Sequence, residues 1–375
     1  MDKIKRLIIA HVPVSTCNLR CKYCYITVQN RWNAELPKFD HTVEEIGRAL
    51  SKERLGGVCF VNLCGSGETL LPPVMVDIIK GILEQGHYVE VVTNGTASKR
   101  FDEIIKLSTN LLERLTFKFS FHYLELKRLN IFDIFFENIR KIKKAGCSFT
   151  VEMTPNDEFE SHINDIKNMC IKELGALCHL TIARNDLEKE IPILSNHSLN
   201  EYAKIWSQFY SIMFDFKKTL FQVKRREFCY AGDWTAYINL GTGKITKCYC
   251  PTEVGNIFDM SKTIKFEAIG KCPIAHCYNG HAHLAFGVIP SLTTPTYADI
   301  RNRKCIDGTE WINPRMKEFI MGKLKDNNAE YSNIKKNLLN LKASIKLSSF
   351  TPKKIAKKIF SQKQIETLKK LKRRN

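Results

Sequence analysis

The stretch "RLIIAHVPVSTCNLRCKYCYI" (residues 6–26) places three cysteines directly behind an apolar segment. Its first part, "RLIIAHVPV" (6–14), predicts a short buried strand because it is brief and mostly apolar. The cysteines follow at 17, 21 and 24, a C-x3-C-x2-C spacing. A structural zinc site usually has four ligands, whereas three cysteines on one loop leave a fourth position open. The spacing alone therefore indicates a metal site with an open position.

The segments that follow alternate between strand and helix patterns. Five further strands are predicted, at 58–63, 88–95, 114–122, 147–155 and 176–184. Helical patterns lie between them, at 42–57, 72–86, 98–108, 131–146 and 161–175. Alternating strands and helices imply a parallel sheet with right-handed crossovers, whose functional site lies at the carboxyl ends of the strands. The three cysteines follow the first strand and so lie where a site is expected.

Composition excludes several classes of protein. The chain has 375 residues, of which 44% are hydrophobic, as in a globular protein with a sizeable core. It opens without a signal-peptide pattern and contains no apolar run of about 18 residues, so we expect no membrane-spanning helix. We therefore predict a cytoplasmic protein. Fourteen cysteines in that setting more often bind metal than form disulfides.

The loop resembles the cysteine motif of the radical S-adenosylmethionine (radical SAM) family, including the aromatic Tyr23 before the third cysteine. The resemblance implies that Cys17, Cys21 and Cys24 hold a [4Fe–4S] cluster. The iron without a cysteine ligand would chelate the amino and carboxylate groups of SAM, and an electron would cleave SAM to a 5′-deoxyadenosyl radical. A zinc knuckle or incidental thiols are the alternatives. The fold implied is a partial (β/α)6 TIM-type barrel, of the α/β class.

Other candidates for cofactor binding follow from the same resemblance. In the family a glycine-rich turn after the second strand contacts the SAM amino group, and here the turn belongs to "LCGSGETLL" (63–71). Serine and threonine replace a glycine and a proline that are common there. The cofactor-binding candidates are Tyr23, Gly65, Ser66, Gly67, Glu68, Thr69, Asn94, Ser120 and Arg184.

Two residues are candidates for a catalytic role. His122 follows Ser120 by two residues and therefore shares its strand face, at a position where the family often has aspartate. A satisfied structural histidine is the alternative. Glu152 and Thr154 share a face of the fifth strand, and a charged residue in an apolar strand is costly unless it is paired. Glu152 is therefore expected to point into the barrel, toward SAM or substrate.

A second group of cysteines begins in "FCYAGDWTAYINLGTGKITKCYC" (228–250). Cys229, Gly243 and Cys248 have the C-x13-G-x4-C spacing of the auxiliary-cluster extension called SPASM or twitch, and Cys272 and Cys277 follow. The full SPASM pattern has more cysteines, so the resemblance implies one auxiliary [4Fe–4S] cluster on Cys229, Cys248, Cys272 and Cys277. The alternatives are zinc or no metal. Cys250 and Cys305 are alternate ligands, and His276, His281 and His283 are ligands or substrate contacts.

The chain is strongly basic at one end. Its net charge is +19, and ten Lys or Arg against one Glu in 350–375 supply about half of it. Isoleucines and leucines at roughly helical spacing among the lysines predict a solvated or disordered tail, an amphipathic helix on an anionic membrane, or a segment that binds nucleic acid or another polyanion. We therefore divide the chain into five parts: a radical SAM core (1–190), a helical connector (191–228), an auxiliary-cluster region (229–290), a helical C-terminal region (291–349) and the basic tail (350–375).

The predicted function is a radical SAM enzyme that removes a hydrogen atom from its substrate. The substrate is a peptide or protein, or a glycan-related small molecule. Its partners are an electron donor such as flavodoxin or ferredoxin and, through the tail, an anionic membrane, which makes membrane-peripheral localisation a second possibility; nucleic acid is not favoured. The alternatives are a tRNA-modifying enzyme of the same family and a zinc-stabilised, basic nucleic-acid-binding protein without catalysis.

Overall fold

The structure is a computed structural model that describes residues 2–185, 188, 190–249, 252–274, 277 and 280–347. The basic tail, Cys250 and His276 lie outside the described residues. No helix in the described part of the chain is both long and apolar enough to cross a bilayer.

Nine strands form one sheet in the described residues, in the order β6-β5-β4-β3-β2-β1-β7-β8-β9. The strands β1 to β7 pair in parallel, and β8 and β9 are antiparallel. Their bounds are β1 (Arg6–Val12), β2 (Cys59–Gly65), β3 (Tyr88–Thr93), β4 (Leu115–Ser120), β5 (Ser148–Met153), β6 (His179–Leu180), β7 (Thr235–Asn239), β8 (Lys244–Thr246) and β9 (Glu253–Asn256).

Helices connect the parallel strands and cover the sheet. Up to β6 they are α1 (Tyr25–Val28), α2 (Val43–Ala49), α3 (Lys52–Leu55), α4 (Met75–Glu84), α5 (Ser98–Ile104), α6 (Thr109–Leu112), α7 (Tyr123–Leu129), α8 (Phe132–Lys144) and α9 (Ile163–Leu174). Beyond β6 they are α10 (Leu199–Trp206), α11 (Ile212–Leu220), α12 (Gly280–Ala285), α13 (Tyr297–Arg301), α14 (Pro314–Met321) and α15 (Asn333–Leu347). Three short 3-10 helices span Asp157–His162, Ser207–Phe209 and Leu324–Asn327.

The apolar pattern accounts for how these elements pack. Strand residues such as Ile8, Val61 and Phe117 are fully buried between the sheet and its helices. In α4 the buried residues recur at the helical spacing of three and four, from Met75 to Leu83, so one face of the helix lies on the sheet. The prediction of a partial (β/α)6 barrel is confirmed, with strands 1 to 6 in sequence order.

Two local predictions differ from the structure. The helix predicted over 42–57 is two helices, α2 and α3, because the Ser51 side chain caps a new helix by accepting a hydrogen bond from Arg54 N. The strand predicted over 176–184 is reduced to two residues, because β6 is an edge strand with only β5 beside it. The sheet also continues from β1 directly into β7, so residues 235–256 extend the sheet formed by the first six strands.

Candidate functional site

The cysteine loop leaves β1 and returns toward the sheet through contacts made by its backbone. Cys21 is buried, and Cys17 and Cys24 are partly buried. The carboxylate of Glu125 in α7 accepts a hydrogen bond of 2.6 Å from Arg20 N, and Thr27 Oγ1 donates to Cys21 O at 2.8 Å. These bonds fix a loop that has no regular structure of its own.

Burial keeps the thiols of Cys17 and Cys21 protonated in the absence of metal. Loss of solvent raises the pKa of Cys17 to about 11 and also raises the pKa of Cys21. A metal group supplies the positive charge that stabilises the thiolates, so its binding releases protons. The Asn94 side-chain amide donates to Cys17 Sγ at 3.7 Å and to Asn18 Oδ1 at 2.8 Å. Three soft sulfur donors with an amide beside them fit an iron–sulfur group.

The turn after β2 packs against the backbone of this loop. Gly67 N donates to Val14 O at 2.7 Å and Glu68 N to Thr16 O at 2.9 Å. A Cβ at Gly67 would lie 2.0 Å from Thr16 O, so only glycine fits this approach. The turn is also closed on itself, because Gly65 N donates to Thr69 Oγ1 at 3.0 Å.

Glu68 joins the turn after β2 to the turn after β3. Its buried carboxylate accepts hydrogen bonds from Thr93 Oγ1 at 2.7 Å, Asn94 N at 2.6 Å and Leu70 N at 2.9 Å. Ser66 takes part through its carbonyl, which accepts from Tyr25 OH at 2.8 Å. Residues 65–69 and Asn94 therefore lie against the cysteine loop, outside the lining of the large cavity described next.

A cavity of about 360 Å³ lies at the carboxyl ends of β4 to β6, between the cysteine loop and helices α11 and α12. Five of the cofactor-binding and catalytic candidates line it: Tyr23, Ser120, His122, Glu152 and Arg184. Cys24 of the loop and Cys277 of the second cysteine group line it as well. We call it the main cavity. Its volume lies in the range of small-molecule sites.

His122 is paired inside the main cavity. Its Nδ1 shares a hydrogen bond of 2.6 Å with Tyr23 OH. Burial lowers the pKa of His122 to about 4, so the imidazole is neutral at neutral pH. A neutral, hydrogen-bonded His122 can orient Tyr23 or a ligand, and it does not bring a positive charge to the site.

Glu152 is also paired, with residues that sequence reasoning missed. It contacts the buried Arg301 of α13, and its Oε2 lies 3.9 Å from Lys118 Nζ of β4. The sequence could have indicated Lys118, because it lies two residues before Ser120 and so shares its strand face. Arg301 and Lys217 of α11 carry no such signal, since only the tertiary fold brings their helices to the main cavity.

Four cysteines come together at a second, smaller cavity of about 40 Å³. Its lining includes Cys229, Cys248, Cys272 and Cys277, with His283. Burial raises the pKa values of Cys229 and Cys248, and the neighbouring thiols raise them further. Cys248 Sγ lies 3.6 Å from His283 Nε2. Four convergent thiols fit either an iron–sulfur cluster or zinc as a donor set.

Two of the other candidates near this cluster can be placed. Cys305 is not among the residues that line the smaller cavity, and its Sγ lies 3.4 Å from Leu174 O at the end of α9, so the structure does not support it as an alternate ligand. His281 lines the main cavity, whereas His283 lines the smaller one. Cys277 lines both cavities and so connects the second cysteine group to the main cavity.

Among the described His, Cys, Asp and Glu residues, one group of three ligand atoms lies at single-ion spacing. It consists of Asp157, Glu160 and His197, whose ligand atoms lie within 4.8 Å of one another. Its members are already engaged, since His197 Nε2 pairs with Glu160 at 2.7 Å and Ser195 Oγ donates to Asp157 at 2.6 Å. This cluster is a network of surface hydrogen bonds.

Comparison with known proteins gives one family match, to the Radical SAM superfamily, over residues 12–170. No curated protein matches the chain. Among solved structures, Streptococcus suis SuiB bound to S-adenosylmethionine is 15% identical over 68% of this chain, with a TM-score of 0.46. This chain covers 64% of SuiB, less than two thirds of its length.

Two further solved structures are similar to this chain. anSMEcpe with bound AdoMet is 17% identical over 68% of this chain and 79% of its own, with a TM-score of 0.47. BtrN in complex with AdoMet and 2-DOIA is 16% identical over 69% of this chain and 81% of its own, with a TM-score of 0.37. The family match covers the sheet from the end of β1 to α9 and includes the cysteine loop. By this match, residues 12–170 of this chain are similar to the Radical SAM superfamily.

Proposed function

We propose that this protein is a radical SAM enzyme whose active site is the main cavity. Cys17, Cys21 and Cys24 would hold a [4Fe–4S] cluster, with SAM bound at the iron that lacks a cysteine ligand. When bound and reduced, this pair supplies a 5′-deoxyadenosyl radical that takes a hydrogen atom from the substrate. The observation that carries the proposal is the cysteine loop, which lies at the carboxyl end of β1 with Cys24 facing the main cavity.

The chain's own residues would position the reactants. The turn at 65–69 and Asn94 brace the cysteine loop, so their role is to hold the cluster ligands in place. Tyr23, Ser120 and Arg184 line the main cavity and are proposed contacts of SAM. Glu152 and His122 are proposed contacts of the reacting groups, one as a paired carboxylate and the other as a neutral imidazole.

The proposal is tested by anaerobic reconstitution with iron and sulfide, followed by reduction with SAM present. Wild-type protein is expected to form 5′-deoxyadenosine, and a variant with Cys17, Cys21 and Cys24 changed to alanine should form none. Cys305→Ala is the matched control, because this buried thiol lies away from both cavities and should leave the reaction intact. Electron paramagnetic resonance of the reduced cluster reports SAM binding separately. Loaded wild-type protein that neither cleaves SAM nor changes its spectrum with SAM would overturn the proposal.

We further propose that Cys229, Cys248, Cys272 and Cys277 bind an auxiliary [4Fe–4S] cluster. Their convergence at one cavity supports it, and Cys277 would bring the cluster next to the substrate, where it can accept an electron. Reconstituted wild-type protein should then contain about eight iron atoms, and about four after Cys229 and Cys248 are changed to alanine. One zinc atom per chain at this site, with about four irons in the wild type, would contradict the auxiliary cluster.

The substrate class that we propose is a small molecule related to glycans or the side chain of a peptide. A cavity of about 360 Å³ that must also receive part of SAM supports a small reacting group. The electron donor, such as flavodoxin or ferredoxin, is proposed from the chemistry, since reduction of the cluster is required before SAM is cleaved.

A further inference from the structure

The main cavity carries more positive than negative side chains. Among the described lining residues Glu152 is the one carboxylate, whereas Lys118, Arg184 and Lys217 are cationic. Glu152 is already shared, since it contacts Arg301 and lies 3.9 Å from Lys118. The buried carboxylate of Glu90, outside the lining, also attracts Lys118 and Arg301. Lys118, Lys217 and Arg301 still carry one more charge than Glu90 and Glu152 can balance.

The positive charge of Lys217 is not balanced by a carboxylate in its described contacts. Its ammonium donates to Thr181 Oγ1, a neutral group. Burial, together with the nearby positive charges of Arg184 and Lys118, lowers its pKa. Burying like charges together is unfavourable unless an anion accompanies them. The fold thus maintains a cationic wall that a bound anion would stabilise.

His281 adds a directed hydrogen-bond donor beside these lysines. Arg301 Nη2 lies 3.1 Å from His281 Nε2, and a guanidinium can only donate, so Nε2 accepts. The proton of the neutral imidazole is therefore on Nδ1. This Nδ1 has no hydrogen-bond partner among the described residues, although His281 is only 6% exposed. An unpaired buried donor indicates that a ligand atom belongs there.

We propose that Lys118, Lys217 and His281 bind an anionic group of the substrate, a carboxylate or a phosphate. The proposal rests on the function proposed above, since it takes the main cavity as the substrate site. Two lysine ammonium groups and one imidazole N–H match the oxygens of such a group, and lysine binds them as a point charge. Lys118 lies two residues before Ser120 on β4 and so deeper in the barrel, which separates the anion site from the cysteine loop.

The test is anion binding by the reconstituted full-length protein, at constant ionic strength. Sulfate, inorganic pyrophosphate and glutarate are titrated separately, and binding is followed by calorimetry. We expect saturable binding of at least one probe by the wild type, and at least tenfold weaker binding by Lys217→Met and Lys118→Met. Lys218→Met is the matched control, because Lys218 is on the same helix, pairs with Asp215 at 2.8 Å and is outside the cavity lining.

The outcomes separate the two proposals. Pyrophosphate binding without glutarate binding would assign a phosphate to the substrate, and the reverse would assign a carboxylate. No saturable binding by the wild type, or equal affinity in Lys217→Met, would overturn the anion site, even if 5′-deoxyadenosine forms. A probe that competes with SAM would assign the cationic wall to the SAM carboxylate and overturn it as well. Anion binding by a protein that does not cleave SAM would contradict the enzyme proposal alone.

Discussion

At the residue scale, the absence of a side chain at Gly67 allows the turn after β2 to pack against the backbone of the cysteine loop. A Cβ at this position would lie 2.0 Å from Thr16 O and 2.6 Å from Thr16 C, both backbone atoms that cannot rotate away. Gly67→Ala should therefore displace the backbone next to Cys17. We expect reconstituted Gly67→Ala to hold less than half of the iron of the wild type at the cysteine loop, as measured by iron analysis and absorbance in a Cys229→Ala/Cys248→Ala background.

The matched control is a glycine where space is available. Gly47 lies in α2, and a Cβ there would meet its nearest atoms at an ordinary 3.8 Å. Gly47→Ala should keep the full iron content and stabilise the protein by up to about 1 kcal/mol, since alanine favours helix over glycine. Equal iron contents in the Gly67 and Gly47 variants would show that the close approach to Thr16 does not matter.

At the scale of elements, Arg301 joins helix α13 to strand β5. Its guanidinium contacts Glu152, lies 3.2 Å from Met213 Sδ and is 2% exposed. Without Arg301 the buried Glu152 keeps only the 3.9 Å contact with Lys118 among its described ion pairs, and breaking such a buried pair costs about 3 kcal/mol. Arg301→Met should lower the free energy of unfolding by that amount in urea titrations, and adding Glu152→Gln should recover part of it.

The exposed pair of Arg315 and Glu113 provides the comparison. Their charged atoms lie 3.2 Å apart and the two side chains are 37% and 42% exposed, so solvent screens the attraction. Arg315→Met should cost no more than about 1 kcal/mol. The link between α13 and β5 would be refuted if Arg301→Met cost no more than Arg315→Met.

At the scale of the whole molecule, buried histidines make stability depend on pH. His87 is fully buried, donates from Nε2 to Leu50 O at 2.6 Å and accepts at Nδ1 from Cys59 N. Burial lowers its pKa to about 4, whereas the unfolded chain takes up this proton near pH 6.5. The unfolded state therefore binds more protons below pH 6.5, and stability is lost as the pH falls from there toward 4.

For His87 alone this linkage amounts to about 2 kcal/mol at pH 5. His122 and His283 have pKa values lowered by burial to about the same value and add to the slope. The free energy of unfolding, measured by denaturant titration at pH 7.5 and pH 5, should fall less in His87→Gln than in the wild type. An identical fall in both proteins would exclude His87 as a contributor.

Much of the fold follows from the sequence because its determinants are local. The apolar strands and the helical spacing of residues such as those in α4 predict a parallel sheet in sequence order. The cysteine loop could be identified because its three cysteines lie within eight consecutive residues, 17–24. Strand alternation likewise placed Ser120 and Glu152 toward a common cavity, since side chains two residues apart share a face.

The tertiary structure decided what depends on residues far apart in the chain. In the folded chain β7 pairs with β1, and Cys229 and Cys277 line one cavity. Cys305 lies instead against Leu174, outside the lining of that cavity. The tertiary structure also surrounds Glu152 with Arg301 and the neighbouring lysines, which no local pattern indicated. The physical reason is that periodicity and spacing record a residue's own element, whereas the charge balance of a cavity depends on which elements pack together around it.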